Sequence, residues 1–423
     1  MLQRLTGVLG LVVLLGIAVA LSNNRRRIQI RTVLWGLGLQ VAFALAILKT
    51  GAGQVFFEWV GAGFTRLISF TDDGSRFVFG DWGVPIRAVN EATGGPHTIG
   101  FALAFRMLPV LIFFASLMGV LYHLGVMQKI VAAMAWVMRR TMRVSGAEAL
   151  SAAGNTFVGM TEAPLMIRPY VAELTESELM AVMTGGLATI AGSVLALYVG
   201  FGIEAGHLLC ASVMSAPAAL VVAKIMLPEI GRPKTSGVTP LEFERTSRNV
   251  IDAAAGGAWE GLRLALNVGA MLIAFVALLS MVNFWLGGLH DMFMLECGWS
   301  GFPGSLQEIF GTLFRPLAFV MGVPWGEADE VGGLMGIKIS ANELLAYHEL
   351  AKLKAQLSPR SVTIATYALC GFANFGSVAI LLGGLGGLAP ERRQEISGLC
   401  LRALAGGVIA SFMTATIAGI VIG

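Results

Sequence analysis

The stretch SAAGNTFVGMTEAPLMIRPY at residues 151–170 is apolar at both ends and interrupted in its middle. The interrupting residues are Gly154, Asn155, Gly159, Thr161, Glu162 and Pro164. A helix that crosses a hydrocarbon core of about 30 Å needs about 20 apolar residues, so this stretch is too broken to span. The same holds for VGGLMGIKISANELLAY at residues 331–347. Both stretches predict re-entrant hairpins, because irregular backbone at membrane depth is tolerated only where protein buries it or where it lines a cavity.

The composition is that of a membrane protein. Of the 423 residues, 56% are hydrophobic and only 13% are charged, and the mean hydropathy is +0.76. A soluble globule cannot bury this much apolar surface in its core. Eight apolar runs are long enough to span a bilayer: residues 5–21, 32–48, 108–124, 179–202, 208–227, 262–286, 362–388 and 396–422. We therefore expect an all-α polytopic membrane protein with eight transmembrane helices, two re-entrant hairpins of opposite topology and interfacial amphipathic helices.

The two hairpins begin an internal repeat. Each hairpin is followed by a long apolar segment that contains glycine, residues 180–199 after the first and residues 362–388 after the second. When the spans are counted, the first hairpin enters the membrane from the inside and the second from the outside. Inverted repeats with broken helices near the bilayer midplane are typical of secondary transporters.

Basic residues cluster at residues 25–31, 129–143, 224–248 and 392–393. Because Lys and Arg near the ends of spans stay in the cytoplasm, these clusters place both termini on the periplasmic side of a bacterial inner membrane. A further basic group, Lys352, Lys354 and Arg360, does not fit this orientation, because the same count of spans places it on the periplasmic side. The net charge of +3 is thus a signal of topology, and the expected partner is a lipid bilayer and not a nucleic acid.

We expect four segments along the chain. Residues 1–125 hold scaffold helices 1–3 and an amphipathic segment on the outer face. Residues 126–227 hold an interfacial helix, the first hairpin and helices 4–5. Residues 228–290 form a linker and scaffold helix 6, and residues 291–423 hold an interfacial segment, the second hairpin and helices 7–8.

Glu162 and Glu343 are the ionisable residues of the two hairpins. A charged side chain inside a membrane costs at least about 2.5–3.5 kcal/mol on insertion scales, so both are candidate functional residues, and we expect both to be buried. An alternative is that each pairs with Lys338 or Arg168 near the interface. A second alternative is an intramembrane enzyme with the glutamates as general acid and base, although no nucleophile or metal cluster accompanies them. A channel or gating subunit is a third.

Six motifs, taken in order, resemble the concentrative nucleoside transporters. The first hairpin carries GNTFVGMTEAP at residues 154–164, followed by RPY at residues 168–170. The others are RFVFG at 76–80, RMLPVLIFF at 106–114, ATIAGSV at 188–194, GIKISANELLAY at 336–347 and GFANFGS at 371–377. This resemblance spans about three quarters of the chain. It implies a homotrimer without enzymatic activity that imports nucleosides such as uridine together with Na⁺, by elevator-like alternating access.

The resemblance also implies the residues that bind substrate. The nucleobase would face Gly159, Met160, Thr161, Glu162 and Val194. The ribose would face Glu343, Asn374 and Ser377, with Phe372 packed nearby. A carboxylate accepts hydrogen bonds from ribose hydroxyls, while an amide both donates and accepts. The loss of one hydroxyl would strand a buried acceptor at a cost of about 1–3 kcal/mol, so the ribose would be selected.

The cation site that the resemblance implies holds Na⁺ with Asn155, Val158, Thr189 and Ile190. An amide oxygen, a hydroxyl and carbonyls freed by a helix break would supply its oxygen ligands. A bound Na⁺ would reduce the repulsion between the two glutamates in a medium of low dielectric constant. Two alternatives stay open, hydrogen-bonded packing between helices of small residues and proton coupling through either glutamate.

Two residues depart from the family pattern. Met160 stands where Gln is usual, so one hydrogen bond to the base is lost and the choice between purine and pyrimidine nucleosides is open. Thr189 stands where Ser is frequent, which keeps the hydroxyl and crowds the site.

Overall fold

The computed structural model describes residues 2–83, 86–89, 96–99, 103–236, 247–297 and 302–422; parts of the predicted outer-face segment and of the 228–290 linker lie outside them. Within these residues the chain is helical, apart from one antiparallel pair of short strands, β1 (Ile86–Val89) and β2 (Pro96–Ile99). The helices are α1 (Leu2–Ala20), α2 (Ile30–Leu48), α3 (Gly51–Phe79), α4 (Leu103–His123), α5 (Val126–Met142), α6 (Gly146–Asn155), α7 (Glu176–Ala188), α8 (Gly192–Gly200), α9 (Ala205–Met226), α10 (Val250–Cys297), α11 (Leu306–Val320), α12 (Ala328–Ser340), α13 (Glu343–Leu353), α14 (Pro359–Leu369), α15 (Phe375–Leu388) and α16 (Arg393–Ile422).

Each of the eight predicted apolar runs falls on one helix or on two consecutive helices. Within the described residues, six helical segments are long and apolar enough to cross a membrane, and the Glu176–Gly200 segment that joins α7 and α8 is one of them. Helices α4 and α5 meet at 77° and add a seventh if the pair is one span. The run at 362–388, counted as one span, is the pair α14 and α15, separated by residues 370–374.

The helices form an inner bundle and an outer layer. Within the chain, 89% of the α7/α8 span and 89% of the α9 span are buried, against only 6% of the α10 span. Helix α10 exposes large apolar side chains such as Leu266, Ile273 and Phe284 on the outside of the bundle. A helix with such a surface needs lipid or another apolar partner around it. The described chain therefore has the fold of a polytopic helical membrane protein.

Both predicted hairpins are present as two helical limbs joined by a break. Hairpin 1 consists of α6, a break at residues 156–162 and the 3₁₀ helix Ala163–Glu173. Hairpin 2 consists of α12, a break at residues 341–342 and α13. Side-chain caps fix where the limbs begin: Ser145 starts α6 with a capping box, and the Asn342 side chain caps α13. Each cap supplies an acceptor to a backbone N–H that has no partner inside its helix.

The two broken spans, α7/α8 and α14/α15, meet where they are broken. The Phe372 N–H donates to the Thr189 carbonyl oxygen at 3.2 Å, which joins one break to the other. Hairpin 1 is attached to the same place, because the Gly192 N–H donates to the Phe157 carbonyl oxygen at 2.9 Å. We call residues 189–191 and 370–374 the break crossing. Backbone groups released by the interrupted helices satisfy one another there, as burial away from water requires.

Gly371 allows the two breaks to approach. Its φ of +142° is a conformation that residues with a side chain rarely adopt, and a Cβ on Gly371 would lie 2.8 Å from both the Ala188 carbonyl oxygen and Ser411 Oγ. We expect Gly371→Ala to lower the stability of the protein by about 1–3 kcal/mol. Thermal unfolding in detergent measures this loss. Gly383→Ala on α15 is the matched control, since a Cβ there meets no atom within 4 Å. Equal midpoints for the two variants would contradict the close crossing.

Candidate functional site

Glu343 is the buried carboxylate of hairpin 2. It is the first residue of α13, and only 6% of its surface is exposed. One carboxylate oxygen accepts from the Tyr198 hydroxyl of α8 at 3.1 Å, and the other accepts from Asn374 Nδ2 at 2.9 Å. Hydrogen bonds to an ionised group are stronger than those between neutral groups. Hairpin 2 is therefore tied through one side chain to both broken spans.

Asn374 has two tasks at the start of α15. Its Oδ1 accepts from the Ser377 N–H at 2.8 Å and so caps the helix, while its Nδ2 donates to Glu343. The cap fixes which end of the amide faces the carboxylate. Ser377 is itself buried, and its hydroxyl makes no hydrogen bond to a described residue. Phe372 is half-buried and packs against the apolar core. The structure thus brings together the four residues assigned to the ribose.

Two tyrosines support Glu343, and neither was singled out from the sequence. The rings of Tyr198 and Tyr347 pack with centroids 4.3 Å apart, and the Tyr347 hydroxyl donates to the Thr366 carbonyl oxygen at 2.7 Å. A helical pattern could have indicated both, because Tyr198 lies one turn after Val194 and Tyr347 lies one turn after Glu343.

The tip of hairpin 1 lies against α7 and α15. A Cβ built on Gly186 of α7 would come within 2.9 Å of Met160 Cβ, and one on Gly384 of α15 within 3.0 Å of Thr161 Cγ2. Ser377 and Gly384 share one face of α15, seven residues or about 10 Å apart along the axis. Helix α15 therefore connects the Glu343 side of the site to the tip of hairpin 1. Val194 is buried near the start of α8, beside this tip.

Glu162 corrects one expectation, because it is exposed in the single chain. It occupies the last position of the hairpin 1 break, and its N–H donates to the Gly159 carbonyl oxygen at 3.1 Å. Only the side chain of Glu162 faces outward, because the next residues, Ala163 and Pro164, are buried. The prediction of two buried acids thus holds for Glu343 and is wrong for Glu162, which is accessible to a ligand.

Three of the four residues assigned to a cation offer an oxygen without a hydrogen bond. Asn155 is 1% exposed, its Nδ2 donates weakly to Ser151 Oγ at 3.5 Å, and its buried Oδ1 has no partner among the described residues. The carbonyl oxygens of Val158 and Ile190 accept no hydrogen bond from the described part of the chain. Buried polar atoms are normally paired. These free oxygens fit a hard cation, which prefers oxygen ligands.

The contacts around these residues place them at one junction. Asn155 Nδ2 lies 3.4 Å from the position of a Cβ on Gly185, in the last turn of α7. One turn later, the Thr189 hydroxyl donates to the Gly185 carbonyl oxygen at 2.9 Å. The bond between Phe157 and Gly192 holds the Val158 segment beside Ile190. The end of α6, the end of α7 and the break crossing therefore share this junction.

A buried ionic cluster at the base of hairpin 1 was not predicted. Lys224 of α9 forms ion pairs with Glu148 of α6 and, at 3.2 Å, with Glu229, and it donates to Ser177 Oγ at 2.9 Å. The charged groups of Lys224, Glu148 and Glu229 border a cavity of about 570 Å³ that is also lined by Arg143. The sequence indicated only a basic cluster near Lys224, because the acids come from distant positions. The cluster anchors hairpin 1 to α7 and α9, away from the tip.

Two hairpins and two broken spans that meet beside a buried carboxylate define the class of secondary membrane transporters. Three family models match the chain and together cover most of it. They are the N-terminus of the Na⁺-dependent nucleoside transporters over residues 9–82, the nucleoside recognition Gate over residues 104–205, and the C-terminus of the Na⁺-dependent nucleoside transporters over residues 207–419. The chain belongs to the Na⁺-dependent nucleoside transporter family, which is not a family of enzymes.

Individual proteins agree with this assignment. An uncharacterized transporter of Haemophilus influenzae is 44% identical and covers 99% of this chain and 98% of its own length. The sodium/nucleoside cotransporter 1 of Rattus norvegicus is 41% identical over 99% of this chain and 64% of its own. Solute carrier family 28 member 3 of Mus musculus is 43% identical over 99% of this chain and 59% of its own length. The chain thus spans about three fifths of the length of these two mammalian relatives.

Solved structures are similar along the whole chain. The structure of CNTnw in an inward-facing substrate-bound state has a TM-score of 0.88 at 42% identity, and the match covers 99% of this chain and 98% of that one. A variant of CNTnw in an outward-facing state has a TM-score of 0.89 at 42% identity, and the match covers 100% of this chain and 98% of that one. The resemblance to the concentrative nucleoside transporters is confirmed, and the enzyme alternative is set aside.

The hydrogen bond between Tyr198 and Glu343 predicts that the two residues depend on each other. Tyr198→Phe removes one donor from a buried carboxylate, which costs about 1–3 kcal/mol, and Glu343→Gln changes the same bond. In a double-mutant cycle on thermal stability, we expect the two effects to be non-additive by at least about 0.5 kcal/mol. Tyr347→Phe is the control, because its hydroxyl binds Thr366 and not Glu343. Additive effects for both tyrosines would refute the coupling.

Proposed function

We propose that this protein imports nucleosides by symport with Na⁺. One observation carries the proposal: Glu343 is a buried carboxylate held by Tyr198 and Asn374, and the buried Asn155 oxygen without a partner lies on the other side of the same break crossing. The first group suits a hydroxyl-rich guest, and the second suits a cation. The names of the relatives, a sodium/nucleoside cotransporter among them, support the same pairing.

On the ribose side, Glu343 keeps acceptor capacity for the sugar. An ionised carboxylate has about four lone-pair sites, and Tyr198 and Asn374 occupy two of them. Asn374 retains a second N–H, and the Ser377 hydroxyl is free to donate or accept. These groups can bind two neighbouring hydroxyls of a ribose without any charge on the substrate. A nucleoside that lacks one hydroxyl leaves a buried acceptor unpaired and binds more weakly.

On the base side, the accessible polar groups of hairpin 1 are Thr161 and Glu162. Met160 is 7% exposed and packs against Gly186, so it presents an apolar surface where an amide would form a hydrogen bond. Gly159, which has no side chain, leaves room for the Glu162 carboxylate that lies over it, and Val194 adds a second apolar contact. Base recognition then rests on Thr161 and Glu162, with uridine as a suitable probe substrate.

On the ion side, Na⁺ binds at the junction of α6, α7 and the break crossing. The ligands are Asn155 Oδ1, the carbonyl oxygens of Val158 and Ile190, and the Thr189 hydroxyl, which donates its proton to Gly185 and can offer a lone pair. The ion fixes hairpin 1 against the crossing, and hairpin 1 carries the base-binding residues. Each ligand therefore favours the binding of the other, since both need the same arrangement of the hairpin.

Transport proceeds by an elevator-like movement within a homotrimer in the inner membrane. The moving part comprises the hairpins and the broken spans, in the segments 126–227 and 291–423, and the scaffold comprises the segments 1–125 and 228–290. The apolar outer face of α10 supports this division, because a scaffold helix needs a subunit or lipid beside it. Hairpins 1 and 2 enter from opposite sides, with both termini in the periplasm. Inward-facing and outward-facing structures of CNTnw support alternating access.

Uridine uptake by purified protein in proteoliposomes tests the proposal. We expect uptake against a concentration gradient that needs inward Na⁺ and falls at least about tenfold in Glu343→Gln, because the neutral amide loses the charged acceptor. Glu349→Gln is the control, since Glu349 lies on the same helix and pairs with Lys352 at the surface. Full uptake with choline in place of Na⁺ would reject sodium coupling. Uptake driven by a pH gradient alone would select proton coupling instead.

The cation site predicts a selective loss of sodium affinity in Asn155→Leu. Leucine fills the same volume without an oxygen, and the loss of a ligand worth about 1.4 kcal/mol raises the half-saturating Na⁺ concentration about tenfold. The measurement is uridine uptake over a range of Na⁺ concentrations. Asn23→Leu, at an exposed position between α1 and α2, is the control. A sodium curve that is the same for Asn155→Leu and the unmodified protein would remove Asn155 from the site.

A further inference from the structure

Lys338 of α12 is a buried charge that the proposed transport does not use. Its side chain is 0% exposed. The Nζ ammonium donates to the Ala368 carbonyl oxygen at 2.7 Å and lies 5.7 Å from the centre of the Phe412 ring. None of the ion pairs in the described ranges includes Lys338. The alternative in which Lys338 forms a salt bridge with a hairpin glutamate is therefore wrong.

The ammonium is held at the end of a broken helix. Ala368 belongs to the last turn of α14, which ends at Leu369 immediately before the break crossing. Carbonyl groups of a last helical turn have no partner within the helix and carry the negative end of its dipole. A cation is stabilised there, and the face of the Phe412 ring adds a further attraction. A lysine that only needed water would extend to the interface, whereas Lys338 is directed inward.

The two halves of the inner bundle repeat in one register. The number of residues from Glu162 to Glu343 equals the number from Thr189 to Cys370. A single shift thus aligns the two hairpin acids with each other and the two breaks with each other. Under this shift Lys338 aligns with Phe157, and its neighbour Ile339 aligns with Val158.

Each repeat places a polar side chain of its hairpin against the last turn of a broken helix, although the two side chains stand at different positions, since the shift pairs Asn155 with Gly336. In the first repeat this side chain is Asn155, whose free Oδ1 lies beside Gly185 in the last turn of α7. In the second repeat it is Lys338, whose ammonium binds Ala368 in the last turn of α14. The first junction offers oxygen atoms, and none of the described residues that form it is basic. The second junction contains the positive charge as part of the chain.

We propose that the Lys338 ammonium is a tethered cation that takes, in the second repeat, the place that Na⁺ takes in the first. The inference rests on the proposed function, because it needs Na⁺ at the junction of Asn155 and Thr189. The tethered charge holds hairpin 2 against the break crossing in every state of the protein. It also attracts the Glu343 carboxylate electrostatically. Ion dependence then arises in the first repeat alone, and Glu343 stays in place whether or not Na⁺ is bound.

Variants of Lys338 test this by changing the number of ions that the protein needs. We measure uridine uptake in proteoliposomes against Na⁺ concentration for the unmodified protein, Lys338→Met and Lys338→Gln. The unmodified protein should give a Hill coefficient of about 1 for Na⁺. Lys338→Met, which has neither charge nor oxygen, should lose at least about tenfold in uptake at every Na⁺ concentration. Lys338→Gln leaves room and an oxygen for a second ion, so uptake should recover at high Na⁺ with a coefficient approaching about 2.

The control for these variants is Lys354→Gln. Lys354 Nζ also donates to a carbonyl oxygen, that of Gly202 at 3.0 Å, but it does so at the exposed surface. We expect the uptake and the sodium curve of Lys354→Gln to match those of the unmodified protein. A wild-type rate and a Hill coefficient of about 1 in both Lys338→Met and Lys338→Gln would overturn the inference.

Thermal unfolding in detergent provides a second test that does not require a variant to take up uridine. Added Na⁺ should raise the midpoint of Lys338→Gln more than that of the unmodified protein, and Lys338→Arg, which keeps a cation, should resemble the unmodified protein. Equal stabilisation by Na⁺ in Lys338→Gln and the unmodified protein would refute the tethered cation. If Lys338→Met, Lys338→Gln and Lys338→Arg all fail to fold, the tethered cation is also refuted, since Lys338 would then have only a structural role.

The outcome for Lys338 is separable from that for the proposed function. If uptake by the unmodified protein does not depend on Na⁺, the proposed symport fails and this inference fails with it. If Asn155→Leu weakens the sodium response while Lys338→Gln leaves it unchanged, the symport stands and only the tethered cation is rejected.

Discussion

Backbone polar groups that leave a helix inside an apolar bundle must find partners within the protein, and this requirement organises the described structure. The broken spans meet so that the Phe372 N–H reaches the Thr189 carbonyl oxygen, and hairpin 1 reaches Gly192 in the same way. Gly371 permits the close approach. What remains unpaired after these bonds, chiefly the Asn155 oxygen and the free carbonyls beside it, is what a cation could bind.

The acids of the two hairpins have different surroundings, and this difference divides their proposed work. Glu343 is buried and fixed by two donors, so it suits a stiff hydrogen-bonding partner such as a ribose. Glu162 is exposed at a turn, so it suits contact with a base that enters and leaves. The ions follow the same division in our proposals: a free Na⁺ near hairpin 1 and the Lys338 ammonium in hairpin 2. In these proposals the two cations balance the charges of Glu162 and Glu343, so the inner bundle can move as one unit past the apolar face of α10.

The sequence predicted the helical class, the eight apolar runs and both hairpins, because hydropathy and helix-breaking residues are local signals. Hydropathy alone could not place the break in the 362–388 run, since that break depends on Gly371 packing against Ala188 and Ser411 from distant segments. The residues around Glu343 were named through motifs. Helical spacing places Tyr198 and Tyr347 one turn after Val194 and Glu343, but their contact with each other forms only when α8 packs against α13. The exposure of Glu162 and the buried cluster around Lys224 likewise depend on tertiary contacts.

A structure of the protein with uridine and Na⁺ tests most directly whether the break crossing is the shared site. We expect the ribose hydroxyls to lie about 2.7 Å from the Glu343 carboxylate oxygens. We also expect a Na⁺ coordinated by Asn155 Oδ1. Uridine bound elsewhere, or bound at the crossing with Asn155 Oδ1 turned away from any ion, would contradict it.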